Sequence, residues 1–377
     1  MHVLVTGDTL SGSWVYTREL VTGLVTRGVR VTLVSFGDIP LPAQTSWMDH
    51  LHGLDYRPTA FRLEWMHEAE EDRREASVFL MSLADELRPD VLHFHQFSYG
   101  NLPVDIPRVV MAYGDLLTWR EAVPEDHQRS MHAVERRAHT QYRETVLRGI
   151  ATADAVVAPS AWMLNRISAA YTRPTRAEVI YPGRNPIFFN PYVSKDDCVL
   201  AVGRLVDASR QLSLLTQHVH PLPVCIVGSE QTIAMPLNPI RADVKVATDE
   251  TSLAICGPQT EAQLRTLYSR AAIYAATARY EPLGMPVLEA AFSRCAIIAN
   301  DIPGYREMWG DAALYFRTND ASSLAASIRL LNDDRSMRRA YAELAYARAR
   351  ERFTTKRMID EYLHLYRNLI AVRTAAA

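Results

Sequence analysis

The stretch YEPLGMPVLEAAF, running from Tyr280 to Phe292, places two carboxylates, Glu281 and Glu289, eight positions apart around Pro282, Gly284 and Pro286, with Leu283, Met285 and Val287 between them. The prolines forbid one continuous helix. Pro286 nevertheless suits a helix's first turn, where its missing N–H has no partner to lose. A helix beginning near Met285 turns its free N–H groups and positive dipole end toward an anion, and a diphosphate fits that description. Glu281 then lies in the preceding loop and Glu289 in the first turns of the helix. From there Glu289 can accept two hydrogen bonds from a ribose diol, while Glu281 meets hydroxyls of a second ring beyond the phosphates. A plainer reading stands beside this one: Glu289 complements the helix dipole, a gain of about 0.3 to 1 kcal/mol, and Glu281 is a solvated loop residue.

An anionic ligand needs cations. Of the 41 basic residues only three, Lys195, Lys245 and Lys356, are lysine, so arginine must supply most of them. His93 and His95 alternate in DVLHFHQF and share a strand face, where one of them contacts ligand or both are interior. No third ligand at suitable spacing makes them a metal site, and no Asp-x-Asp pair is present to hold a divalent cation. In VVMAYGDLLTW, Asp115 either orients Tyr113 or a substrate hydroxyl, or it caps the turn that follows. Trp65 and Trp119 could line a groove, although aromatic residues so placed more often belong to a core.

These residues need elements to hold them. The N-terminal segment reads as a buried strand (His2 to Thr6), a small-residue loop, an amphipathic helix ended by Gly28, and a second strand (Val29 to Phe36). Short apolar runs recur at RVVMAYG and AVVAPS, each followed by helical patterning, so the first half forms an open parallel sheet covered on both faces. The pattern restarts at DDCVLAVGRL and continues through PVCIVGS, SLAICG, IYAATA, AIIAND and ALYF, with helices such as TEAQLRTLYSRA and DASSLAASIRLL between them. A second doubly wound domain follows from that. The proline-rich YPGRNPIFFNPYVSKDD marks a linker near residues 181 to 196, and after Asp333 the chain is helical to its end. Two such domains create a cleft, with ligands at the carboxyl ends of the strands.

With 377 residues, 48% hydrophobic and 22% charged, the chain can bury a substantial core and is long enough for two domains. A formal charge of -2 gives no global attraction to nucleic acid. Cys198, Cys225, Cys256 and Cys295 are widely spaced, each in an apolar run, and read as buried thiols in a reducing compartment. The apolar run in MHVLVTG is too short for a signal peptide and nothing approaches a membrane span, so the expected location is cytoplasmic. The most basic stretch, HQRSMHAVERRAHTQYRETVLR, reads either as a membrane-surface helix or as a solvated covering helix; its arginines are mixed with glutamates around the helix, which favours the second and leaves peripheral membrane contact an open alternative that is not indicated.

The Glu, seven residues, Glu pattern around PLGMPVLEAAFS, followed by CAIIANDIPGYREMWGDAALYF, resembles the nucleotide-sugar signature of retaining glycosyltransferases of family four, which have the GT-B fold. VLAVGRLVDASRQ resembles that family's strand-loop motif, whose Arg and following Lys bind the donor diphosphate; Arg204 matches the first and Arg210, after one extra loop residue, stands for the second. GDTLSGSWVYTRELVTGLVTRGVRVTLVS is similar to the family's first loop and helix, with Gly12 where the backbone approaches the phosphates. The resemblance covers nearly the whole chain. It implies two Rossmann-like domains facing across a cleft: residues 1–185, binding the acceptor, and 186–355, binding the donor, with 356–377 and the C-terminal helices returning to the first. Besides Arg210 for Lys, three departures stand out: Tyr113 where most members have a His near the reactive carbon, Pro182-Gly183 for Asn-Gly, and Arg294 for Gly.

The resemblance implies transfer of a sugar from a nucleoside diphosphate sugar, UDP- or GDP-linked, to a small-molecule, glycan or lipid-linked acceptor, with no cofactor and no metal, in bacterial-type glycan or glycoconjugate synthesis. Arg204, Arg210, Glu281 and Tyr113 would be catalytic. Gly12, Gly203, Pro258, Pro282, Leu283, Gly284, Met285, Val287 and Glu289 would bind donor, and His95, Asp115 and Trp119 lie on the acceptor side. Replacing Glu289 by Ala is expected to weaken donor binding and leave folding intact. A nucleotide-sugar epimerase or hydrolase, or a non-catalytic binding subunit, would use the same donor residues.

Overall fold

The segment His2–Asp8 is buried at every position, as a strand must be when helices cover both faces of its sheet. The computed structural model describes residues 1–10, 12–123, 133–228 and 253–376. The start of the basic stretch, residues 127–132, and Lys245 lie outside them. Contacts divide the chain into two units, one holding most of residues 1–183 with Thr355–Ala377, the other Arg184–Thr354.

In the first unit the order is β1 (His2–Asp8), α1 (Ser13–Thr26), β2 (Arg30–Phe36), α2 (Pro42–Thr45), β3 (Leu54–Pro58), α3 (Glu70–Leu87), β4 (Val91–Phe94), β5 (Arg108–Met111), α4 (Leu116–Ala122), α5 (Ala133–Thr152), β6 (Ala155–Ala158), α6 (Ala161–Ala170) and β7 (Ala177–Val179). Among the described residues seven parallel strands pair in the order β3-β2-β1-β4-β5-β6-β7. The second unit runs β8 (Asp196–Val202), β9 (Val224–Val227), β10 (Leu253–Ile255), α7 (Glu261–Arg270), β11 (Ala271–Ala276), α8 (Met285–Phe292), β12 (Ala296–Asn300), α9 (Pro303–Trp309), β13 (Leu314–Phe316), α10 (Ala321–Asp333) and α11 (Arg335–Arg352). Its six parallel strands among the described residues pair as β10-β9-β8-β11-β12-β13. Each sheet reverses its winding beside its first strand, between β1 and β4 and between β8 and β11. In such sheets the loops at that reversal form the natural ligand crevice.

The second core gathers Val199, Ile226, Ile273, Ile298 and Phe316 from the strands with Leu324, Ile328 and Leu331 from α10. Of the C-terminal helices expected to return to the first unit, only α12 (Thr355–Ala376) does so; α11 remains with the second. α12 buries Ile359, Tyr362 and Tyr366, and the Tyr362 and Tyr16 hydroxyls lie 2.5 Å apart. The chain passes between the units at Gly183/Arg184 and at Thr354/Thr355, and Arg184 pairs with Thr354 in a parallel bridge. No helix among the described residues is long and apolar enough to cross a membrane.

The cysteines differ from the expectation of separate buried thiols. Only Cys295 is buried. Cys225 faces Ala254 across the β9/β10 pair, and Cys256, two residues on, shares that face, so their sulfurs lie 2.7 Å apart. Burial, then the bond from Cys256, pushes the Cys225 thiol up to about 12.

Candidate active site

At the end of β8 the chain turns twice, Asp207 N–H donating to the Arg204 carbonyl at 3.2 Å and Arg210 N–H to the Asp207 carbonyl at 2.9 Å. Asp207 holds this loop as an Asx turn, accepting from the Ser209 N–H at 2.9 Å and its hydroxyl at 2.6 Å. Only glycine permits the approach beneath it: a Cβ on Gly228, after β9, would fall 1.6 Å from the Gly203 carbonyl oxygen. The loop after β11 is sewn to the loop after β8. Thr277 Oγ1 donates to the Arg210 carbonyl at 2.6 Å, and Arg279 N–H to that of Ser209 at 2.8 Å. Asn300, at the end of β12, donates to the Ala278 carbonyl at 3.2 Å and to Asn319 Oδ1 at 2.9 Å, and so fixes the far side.

On this frame four charged groups converge. Asp207 Oδ2 is 3.8 Å from Arg204 Nη2 and 3.7 Å from Arg210 Nε, and Arg210 also forms an ion pair with Glu281. The second Glu281 oxygen accepts from the Gly284 N–H at 3.1 Å. Gly284 has φ +64, a left-handed conformation natural to glycine, and lies at the N-cap of α8. Glu281 therefore closes the turn that starts the helix and aims its other oxygen at Arg210. The quartet is formally neutral, with two guanidinium groups against two carboxylates. Leu283, Met285 and Val287 are buried, so any contact they make with a ligand is through backbone. Pro258 is exposed in the loop after β10.

Glu289 lies one turn into α8, its Oε1 2.8 Å from Arg184 Nη2. Arg184 is 1% exposed; its guanidinium also lies 3.6 Å from Glu261 Oε1 and 5.2 Å from the Phe189 ring centre. Burial and the Glu289 charge together raise the neighbouring Tyr268 phenol. With a side-chain exposure of 5%, Glu281 is not a solvated loop residue; Glu289, at 12%, does more than complement the helix dipole, since it also pairs with Arg184. Sequence reasoning missed two of these charged groups, Asp207 and Arg184. Asp207 carried a visible signal, an aspartate two residues before a serine in a loop, whereas Arg184 sits in the proline-rich linker, where no periodicity marks a buried position.

In the first unit Gly12 precedes α1, and a Cβ built there would meet nothing within 4 Å. Its φ of −60 needs no glycine. His95, just past β4, accepts or donates at Thr17 Oγ1 over 3.2 Å, and its ring stands edge-on to Tyr113 at 5.6 Å. Its Nε2 is buried without a hydrogen-bond partner among the described residues, and burial lowers the ring to about 3, so it is neutral. Burial first, then the Asp8 charge, raises the Tyr113 phenol, which bonds to Ser13. His93, its ring edge-on to that of His95 at 5.3 Å, is a core residue whose Nδ1 lies 2.5 Å from the Tyr366 hydroxyl.

Asp115 resolves toward its capping alternative. It accepts from Leu117 N–H at 2.9 Å, Thr118 N–H at 3.1 Å and the Thr118 hydroxyl at 2.5 Å, and from the Tyr171 hydroxyl as well. With four donors in place it orients α4 rather than a ligand. Trp119, half-buried on α4, donates its backbone N–H to the Asp115 carbonyl at 3.1 Å. Glu64, unflagged by the sequence, accepts from Phe97 and Ser98 N–H at 2.9 and 2.8 Å, capping the short turn Phe97–Asn101. Among the described residues no group of His, Cys, Asp or Glu converges as a metal site.

Two family descriptions match the chain, "Glycosyltransferase Family 4" over residues 10–187 and "Glycosyl transferases group 1" over residues 187–348. Among curated proteins, a lipopolysaccharide core biosynthesis mannosyltransferase, LpcC, of Rhizobium leguminosarum bv. viciae is 24% identical over 254 residues, 62% of this chain and 69% of that protein. Alpha-maltose-1-phosphate synthase of Mycobacterium tuberculosis is 28% identical over 120 residues, 30% of this chain and only 31% of that protein's length. Among solved structures, sucrose-phosphate synthase from Thermosynechococcus elongatus superposes with a TM-score of 0.79 at 15% identity, covering 99% of this chain and 100% of that one. HepE of Anabaena, solved in complex with UDP-glucose, gives 0.69 at 14% identity with all of both chains covered.

Proposed function

This chain belongs to the family-four type of GT-B glycosyltransferases, and from that premise we propose that it moves a hexose from a nucleoside diphosphate sugar to a hydroxyl acceptor with retention at the anomeric carbon. One arrangement carries the reading: Arg204 and Arg210 flank Asp207 after β8, Arg210 meets Glu281, and α8 opens beside them with Glu289 one turn in. As the bond from anomeric carbon to phosphate oxygen breaks, negative charge grows on the diphosphate. Stabilising it is the main catalytic demand.

Arg204 and Arg210 meet that demand together with the first-turn amides of α8, which have no acceptor within the helix. A guanidinium presents five N–H donors in a planar fork, so Arg210 can keep Glu281 while reaching a phosphate oxygen. The acceptor oxygen bonds to the anomeric carbon on the face the phosphate leaves, and the acceptor's proton passes to the departing phosphate oxygen. Glu281, with lone pairs beyond those given to Gly284 and Arg210, takes hydroxyls of the transferred sugar, and Glu289 takes the ribose diol. On this reading Arg204, Arg210 and the first-turn amides of α8 stabilise the leaving diphosphate by directed hydrogen bonds, and the transfer proceeds without a divalent cation. UDP-glucose in the Anabaena structure makes UDP-hexoses the first donors to try, and the mannosyltransferase relative adds mannose to the sugars to include.

The test is turnover of the full chain with UDP-, GDP-, ADP- and TDP-hexoses over a panel of glycan and lipid-linked acceptors. An α-linked product from an α-linked donor, formed equally with chelator present, is the expected result. Inverted product, or activity lost to chelator and restored by manganese, contradicts the mechanism; release of free sugar without acceptor makes the chain a hydrolase.

A further inference from the structure

Arg184 is the residue least expected of a linker. A guanidinium taken out of water must be paired, because an uncompensated buried charge is strongly destabilising. Two carboxylates are in range. Glu261 is 39% exposed and is already held by Arg265 Nη2 at 2.6 Å, whereas Glu289 stands closer to Arg184, at 2.8 Å, and is itself largely buried. Glu289 is thus the principal partner.

Arg184 has little freedom of its own. Its N–H donates to the Phe353 carbonyl at 2.9 Å, its backbone bridges Thr354, and its guanidinium lies over the Phe189 ring. Asn185 then caps the turn Pro186–Phe188 by accepting from the Ile187 N–H at 3.2 Å. A rigid guanidinium fixes the carboxylate it holds, and a fixed carboxylate binds a diol without first losing rotamer freedom. We propose that Arg184 is a positioning residue for the donor: it holds the Glu289 carboxylate in the orientation that accepts both ribose hydroxyls. The proposal rests on the reading of Glu289 as the ribose ligand. It adds a residue from outside the EPLGMPVLE stretch to the determinants of donor choice.

The experiment compares the full chain with its Arg184→Met and Arg184→Lys variants, titrating each by calorimetry with UDP, GDP and ADP and with their 2′,3′-dideoxy counterparts. The chain itself should prefer the ribonucleotide by about tenfold or more, the range for hydrogen bonds to a charged group. In Arg184→Met the ribonucleotide should bind about tenfold more weakly, the dideoxy form unchanged, and the preference collapse. In turnover, KM for the donor should rise with kcat nearly unchanged, as for a contact made equally in ground and transition states. Lysine offers a point charge without the fork and should restore only part of the preference. Should the Met variant fail to fold, the Lys variant decides alone. A full preference in any folded Arg184 variant overturns the positioning role while leaving the donor reading intact. No preference in the unaltered chain, or no binding of any of the three nucleotides, overturns the ribose assignment and this proposal with it.

Discussion

Glu289 and Arg184 shield each other, and that pairing changes what removing either one does. From the sequence, Glu289→Ala is expected to weaken donor binding and leave folding intact; the structure corrects the second half, because alanine leaves Arg184 buried without its closest counter-charge. Breaking a buried pair on one side costs about 3 to 5 kcal/mol. Denaturant unfolding should place Glu289→Ala toward the low end of that range, since Glu261 is near enough to compensate in part, and a loss under about 1 kcal/mol would show that Arg184 does not depend on this carboxylate. His95 supports a pH prediction. Its folded value, about 3, lies below the unfolded 6.5, so the native chain binds fewer protons between those limits, and stability present above pH 6.5 is lost as pH falls. Between pH 7 and 5 that loss is about 2 kcal/mol. His93 is shifted in the same direction by burial, then by His95. A His95→Asn variant should show a flatter acid limb in thermal unfolding, and an unchanged limb would count against the burial argument.

The elements were largely legible in the sequence, the pairings between them much less so. The proline and glycine in PLGMP place the start of α8 at Met285, where the structure has it, because both residues act through their own backbone. The alternating apolar runs mark the strands for the same local reason. Arg184 and Glu289, 105 positions apart in sequence, meet only because the sheet order brings the linker to α8, and no window of residues encodes that. Asp115 was half legible: capping and ligand contact both call for an aspartate there, and only the four donors around it decide. The departure at Arg294 is explained by its element. It follows the Ser293 C-cap of α8 with φ +59, the position where helices usually end in glycine, and its guanidinium lies 4.5 Å from the Tyr346 ring centre with Nε 3.4 Å from Glu343. Left-handed backbone costs a residue with a Cβ about 1 kcal/mol, and the cation–π contact returns about as much. Arg294→Gly should therefore unfold near the parent chain, and Arg294→Ala, which keeps the strain and loses the contact, should be about 1 kcal/mol less stable than Arg294→Gly. Equal stability of the two variants would remove the backbone explanation.

At the scale of the molecule, each of the two sheets has its own reversal of winding with post-strand loops beside it, and α12 completes the first unit from the far end of the chain. The first unit supplies a neutral His95 against Tyr113, and the second the Arg204, Asp207, Arg210 and Glu281 quartet with Arg184 and Glu289 behind it. The repeated architecture was readable from the recurring strand and helix pattern; residues that could do chemistry formed a dense motif only in the second unit. The central claim is that the donor lies along the second unit's reversal point with its charge carried by arginine. A crystal structure of the full chain with the nucleoside diphosphate sugar it turns over tests this most directly. The account predicts the diphosphate within hydrogen-bonding distance of Arg204, Arg210 and the first-turn amides of α8, and the ribose on Glu289 beside Arg184. A diphosphate bridged to the protein by a divalent ion, or a ribose away from Glu289, would contradict it.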